Sequence, residues 1–377
     1  MDFGNSANFL MASDTPELIG AVDLLSRMEW YPNDGFSHNL PDSTSSDLTS
    51  PISTAFDSTA SNSTYPCQKP EVCPFRNPKF LGRGAQAVIW DVDSEDGSFA
   101  LKLGNPENRL DDQNYEIHAL AMLNEALKDH PAYNHIPRYY GWVHKQVDIA
   151  DGLRGPYVGY VTEKLDGNVG DYVEALSKSF FSFEEKELIL WSMMFQLAVV
   201  LDAIHHGPDI EDWKPLSHRD IISLNIFYKI LPSTIFPRIV LGDWGDACYE
   251  TELPPSNAIQ AKYAIGIPGH RGPNLKASNS ELDMIRFRFF LRHWSRELGF
   301  VHEDKSPFKF RSALVDFGDM LRTKLGENER GGRVTVKSLP TSRDVLQWIK
   351  QVWKEEAPHQ YGNSAAATEL QQMILRR

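Results

Sequence analysis

The sequence predicts an α+β protein in which a small β-rich lobe precedes a larger helical one, and three observations point that way. Between about residues 75 and 165 the chain runs in short alternating stretches such as YVGYVTEKL (157–165). Beyond them come long runs with helical spacing, among them SFEEKELILWSMMFQLAVVLDAIHH (182–206). Strands first and helices afterwards is the pattern of that class. The third observation is composition, since a hydrophobic share of 41% and an aromatic share of 11% supply a real core. At 377 residues the chain is long enough for one large two-lobed domain or for two ordinary ones.

The elements follow in order. Residues 1–70 read as a disordered acidic tail, dispensable for folding. In 41–64, 13 of 24 positions are Ser or Thr, too few apolar groups to offset the entropy of ordering. Within this tail SDTPELIGAVDLLSRMEW carries a Ser13 or Asp14 cap signal and apolar Leu18, Val22, Leu25 and Met28 at helical spacing. That is either a transient helix or a 14–30 helix that docks on a partner or on the folded domain. FLGRGAQAVIWDV and SFALKLG read as strands meeting at a turn around Asp96-Gly97, and DDQNYEIHALAMLNEALKDH places Leu120, Leu123 and Leu127 on one helix face. The helix from 182 opens on the capping box Ser182-x-x-Glu185. Its stretch Leu188 to Ile204 is interrupted by Ser192, Gln196 and Asp202 and falls short of the roughly 20 residues that span a bilayer, so it reads as a buried helix. The resulting domains are a first lobe with its hinge over 75–165, a second lobe over 166–356 and a C-terminal tail over 357–377.

Charge and cysteines narrow the function classes. The net charge is −13, and residues 1–64, with nine acids against Arg27 alone, hold −8 of it, leaving −5 elsewhere. No basic face for nucleic acid is expected from that balance. Cys67, Cys73 and Cys248 are an odd number without metal-ligand rhythm, as reduced thiols of a cytoplasmic or nuclear protein are. No charged-then-apolar leader opens the chain, so neither secretion nor a membrane partner is expected.

The chemistry concentrates in two places. Gly82 and Gly84 sit among apolar strand residues, and Lys102 follows on the next strand. Glycines there let backbone amides approach phosphates, and a lysine reaches them as a point charge. A glycine hairpin with a snorkelling lysine would look the same. The second place is SHRDIISLNIFYKI, where His218-Arg219-Asp220 is followed by Asn225. Asp220 suits a hydroxyl proton and Asn225 a metal ion. A hairpin, NIFYKI out and PRIVLGD back, returns Asp243 beside Asn225, so that two oxygen ligands share one magnesium ion. GIPGHRGPN (266–274) closes the segment.

Over about residues 78–350 these motifs resemble the eukaryotic protein kinase family, whose signatures are a glycine-rich loop, a strand lysine paired with a helix glutamate, H-R-D-x-x-x-x-N, D-F-G and A-P-E. They stand here in order as Gly82/Gly84, Lys102, Glu116, His218-Arg219-Asp220…Asn225, Asp243-Trp244-Gly245 and Gly272-Pro273-Asn274. The resemblance implies a bilobal protein-kinase-like fold, with ATP and Mg2+ as cofactors and a protein substrate. It implies that Asp220 is the catalytic base, that Lys102, held by Glu116, orients the α/β-phosphates, and that Asn225 and Asp243 hold magnesium. The adenine pocket would be Leu81, Ile89, Ala100, the hinge Glu163–Leu165 behind Thr162, and Phe227 beneath the ring. Two further copies of the triplet, Asp2-Phe3-Gly4 and Asp316-Phe317-Gly318, are not expected to bind metal. The first stands in the tail. The second lies 91 residues past Asn225, where Leu314, Phe317, Leu321 and Leu325 recur as a helix face.

Departures from the family fall in pairs. Ile222 and Leu224 leave no basic residue after the aspartate, and Ile267 replaces the threonine that would meet one. Asn274 replaces the A-P-E glutamate, and Leu339 its arginine partner. Replacing both members of a buried ion pair can leave stability unchanged, whereas removing one costs about 3–5 kcal/mol. The expected activity is a protein kinase of serine/threonine type, regulated through Arg219 by a phosphate on Tyr249, Thr251, Ser256 or Tyr263. A nucleotide-binding pseudokinase or scaffold is the alternative, and a small-molecule kinase a third.

Overall fold

A computed structural model describes residues 28–32, 71–84, 87–104, 110–145, 157–208, 213–250, 278–300, 340–362 and 364–376. Within these the protein is mixed α+β, and its packing divides it into two units. The chain passes from the first unit to the second after Gln113, returns at Tyr140, and leaves again after Lys164.

The alternating runs of the first unit form β1 (Glu29–Pro32), β2 (Glu71–Val72), β3 (Arg76–Arg83), β4 (Ala87–Ser94), β5 (Gly97–Gly104), β6 (Tyr139–Lys145) and β7 (Tyr157–Glu163). They make one sheet in the order β2-β1-β6-β7-β5-β4-β3. FLGRGAQAVIWDV, expected as one strand, is divided between β3 and β4, which pair antiparallel from Arg76↔Asp93 to Arg83↔Val88. Trp90, Val92, Phe99, Leu101, Leu103, Val143 and Val161 gather into the core of this unit, and Met28, Trp30 and Phe75 belong to it.

That membership corrects the expected tail. Residues 29–32 are a strand of the sheet, with Trp30 paired to Val143 and Tyr31 to Trp142. The physical reason is aromatic burial. Trp30 meets Phe75 edge-on at 5.0 Å, and Tyr31 stacks on Trp142 at 4.0 Å, contacts worth more than helix periodicity in a short segment. Gly141 admits them, because a Cβ there would lie 2.3 Å from the Tyr31 carbonyl oxygen. The rest of the 14–30 helix, the Ser/Thr run, GIPGHRGPN with Ile267 and Asn274, Leu339, the phosphosites Thr251, Ser256 and Tyr263, and both Asp2-Phe3-Gly4 and Asp316-Phe317-Gly318 lie outside the described residues.

The second unit is built around helices α1 (Leu110–Ala126, from Asn114 onward), α2 (Val169–Ser177), α3 (Phe183–His206), α4 (Asn279–Glu297), α5 (Ser342–Glu355), α6 (Ala357–Tyr361) and α7 (Ala365–Leu375). Helix α3 starts at the capping box read from the sequence, with Ser182 and Glu185 each bonded to the other's backbone amide. It is long and apolar enough to cross a membrane, but 94% of its apolar window is buried inside the protein. Its polar interruptions are pins. Gln196 donates to Pro237 O and accepts from Ile239 N, both at 2.9 Å, and Asp202 accepts from Arg343 at 3.2 Å. The expected C-terminal tail is corrected as well, since α7 buries Ala367, Leu370 and Ile374, and Tyr361 of α6 stacks on Trp353 at 5.5 Å. An alanine-rich helix with one apolar face belongs on the core.

Candidate functional site

In the first unit, strand alternation sorts the side chains. The register runs Ile89↔Lys102↔Tyr160 and Asp91↔Ala100↔Thr162 across β4, β5 and β7. Opposed residues share a face and neighbours alternate, so Ile89, Asp91, Ala100, Lys102 and Thr162 stand on one face. Trp90, Val92, Leu101, Leu103 and Val161 turn to the other, the core face. The Lys102 ammonium lies 5.7 Å from the Tyr160 ring centroid, a cation–π distance. Gly159 lets β7 come this close, as a Cβ there would sit 2.4 Å from Lys102 O.

The glycines at the end of β3 have no such internal reason. A Cβ on Gly82 would meet nothing within 4 Å, and on Gly84 only Ala87 O at 3.8 Å. Neither takes a positive φ. Their lack of side chains is free to serve an outside group that approaches the backbone. Leu81 beside them is half exposed. Glu163 pairs with Phe99 on the core-face row, so its side chain stands on the face opposite that of Thr162.

The second unit holds the other expected residues. Glu116 is buried on α1, and Leu165 opens the stretch after the first unit. Strands β8 (Ile226–Lys229) and β9 (Arg238–Leu241) form the anticipated hairpin, with Ile226 opposite Leu241 and Phe227 opposite Val240. The Gly242 amide donates to Asn225 O at 2.9 Å, carrying the return strand to Asp243. Gly242 itself is needed, because a Cβ would fall 2.8 Å from the Phe227 ring.

Asp220 and Asn225 are joined directly. The Asn225 Nδ2 donates to Asp220 Oδ2 at 2.9 Å and to Asp220 O at 3.0 Å. That use of the amide nitrogen leaves the amide oxygen as the Asn225 atom suited to a hard cation, the same donor type as the carboxylate of Asp243, which follows Gly242. Among the described residues no group of three or more His, Cys, Asp or Glu side chains could hold a metal ion. The pair here depends on an asparagine. Asp243 adopts a left-handed backbone, φ 60 and ψ 71, as does Arg219 at φ 66. Such strain persists only where surroundings enforce it.

Those surroundings include residues the sequence did not single out. Asp283 of α4, fully buried, accepts from the backbone amides of His218 at 2.7 Å and Arg219 at 2.8 Å. Its Oδ2 also accepts from His205 Nε2 at 3.1 Å, while His205 Nδ1 meets Ser342 Oγ at 3.1 Å. His218 Nε2 donates to Gly242 O at 2.9 Å, and its Nδ1 accepts from the Asp220 amide at 3.2 Å. Trp244 is wholly buried. Its indole packs edge-on against His218 at 4.7 Å and donates to Leu241 O at 3.0 Å. Glu250 ties the next turn down through Ser217 Oγ at 2.9 Å and the Ser280 amide at 3.1 Å. A polar residue inside the apolar face of α4 was the available signal for Asp283, but spacing alone gives it no partner. No protein-family model matches the chain, and no curated protein sequence matches it.

Proposed function

We propose that this chain is an ATP- and magnesium-dependent protein kinase of serine/threonine type, which transfers the γ-phosphate to a protein hydroxyl. The observation that carries the proposal is the convergence of Asp220, Asn225 and Asp243 around one pinned loop and hairpin. A general base must be fixed within hydrogen-bond reach of its proton, and the Asn225 bond holds the Asp220 carboxylate in one orientation. Magnesium would supply charge neutralisation on the phosphates, with Asn225 and Asp243 as its ligands. The first unit's polar face supports the same reading, offering Lys102 for phosphate and Ile89, Ala100 and Thr162 for a flat apolar base. A bilobal kinase-like fold is part of this proposal, and the motif order that resembles the protein kinases supports it.

One observation favours a nucleotide-binding scaffold with little transfer. Ile222 and Leu224 bring no cation of their own to the positions that follow Asp220, and Leu224 is exposed. Radiolabelled ATP with generic protein substrates separates the two. Asp220→Asn is expected to lower turnover by about 10²–10⁴-fold while keeping the rise in melting temperature that Mg-ATP gives. Equal labelling by both proteins would remove Asp220 from the mechanism. A thermal shift without any labelling by the wild type would leave the scaffold reading.

A further inference from the structure

Among the polar-face residues of the first unit, Asp91 has no role in the proposal above, yet it is 7% exposed at the middle of β4. It stands in one row with Ala100 and Thr162 and on the face of Ile89 and Lys102. Its Oδ2 accepts from Lys164 Nζ at 2.6 Å. Its Oδ1 is buried with no hydrogen-bond partner among the described residues. A carboxylate in such a place is costly, and an apolar residue would serve packing better. What an apolar residue lacks is a hold on Lys164.

Lys164 is where that hold matters. The pairing of β7 with β5 runs to Glu163↔Phe99, and Lys164 is the last residue before the chain enters the second unit. Past the end of the ladder, the side-chain bond to Asp91 replaces the backbone bonds that stop there. A second carboxylate nearby, Asp93, is held below its usual range chiefly by the Ser98 hydroxyl, with Lys164 a minor contributor. Of the two acids, the short contact goes to the buried one.

We propose that the Asp91–Lys164 pair positions the linking segment Glu163–Leu165, and thereby sets the affinity for the base of the nucleotide rather than the rate of transfer. The inference rests on the nucleotide reading above, and the test separates the two. Binding of Mg-ATP and of Mg-tripolyphosphate, which has no base, is measured by calorimetry on the full chain beside melting temperatures. Asp91→Leu/Lys164→Met replaces both charges, so it is expected to melt close to the wild type. It is expected to bind ATP about tenfold more weakly and tripolyphosphate as the wild type does. Lys164→Arg keeps the ion pair and is expected to keep ATP affinity, with KM rather than kcat moving in the double variant. Wild-type ATP affinity in the folded double variant would overturn the positioning role. Equal weakening toward tripolyphosphate would overturn it too, by showing a general loss. A wild type that binds neither probe would sink the nucleotide reading, and this inference with it.

Discussion

The two units hold their polar groups in place by opposite means. In the second, the loop 218–225 and the turn at 242–244 are fixed by polar pins: Asp283 on two amides, His218 on Gly242, Asn225 on Asp220. In the first, Ile89, Ala100, Lys102 and Thr162 are set on one face by strand register, and register is held by an aromatic and aliphatic core on the opposite face. The contrast teaches where each fails. A pinned loop is sensitive to a single charge, because a removed partner strands buried donors. A face set by alternation tolerates polar changes but follows the packing beneath it.

The largest effect is expected at the proposed magnesium ligands. Asp243→Asn should abolish Mg-dependent transfer, whereas Asp316→Asn should stay within a few-fold of wild type in the same labelling assay. The reverse result would discard the motif order read from residue 218 onward. Next comes the pin. Asp283→Ala strands the amides of His218 and Arg219 together with His205, and should cost about 3–5 kcal/mol in denaturant unfolding. A loss under 1 kcal/mol would mean that the loop holds itself, against the contrast drawn between the units.

On the first unit, Trp30→Ala should cost about 3–5 kcal/mol by emptying a core position. A chain starting near residue 70 should lose at least as much. If truncation proves neutral, β1 is an ornament on the sheet and register must be secured elsewhere. Gly82→Ala has room for its methyl group and should leave the melting temperature nearly unchanged. It should still weaken Mg-ATP binding if the backbone there meets phosphate.

The smallest expected effect is alkaline. The Tyr31 phenol is pushed up to about 12 by burial and by the Glu29 carboxylate that accepts its hydrogen bond at 2.8 Å. Its neutral form is favoured in the folded state, so this stability is present below the unfolded value of about 10 and lost as pH rises toward the folded one. Tyr31→Phe should flatten that part of the alkaline melting curve. An unchanged curve would show that the strand is released before the phenol ionises.

What the sequence determined by itself was local. The capping box at Ser182, the buried run of α3 and the hairpin bringing Asp243 back to Asn225 all follow from spacings within a few tens of residues. Periodicity and turn chemistry act over that range, so they are legible without knowing what the chain packs against. Tertiary structure decided the rest. Met28 and Trp30 carry the same letters whether in a helix or a strand, and the edge of β6, more than a hundred residues on, chose the strand. Asp283 meets His218 across 65 positions and Lys164 meets Asp91 across 73. A buried carboxylate gains its worth from the donors it meets there, and no local pattern records a partner that only the fold brings near.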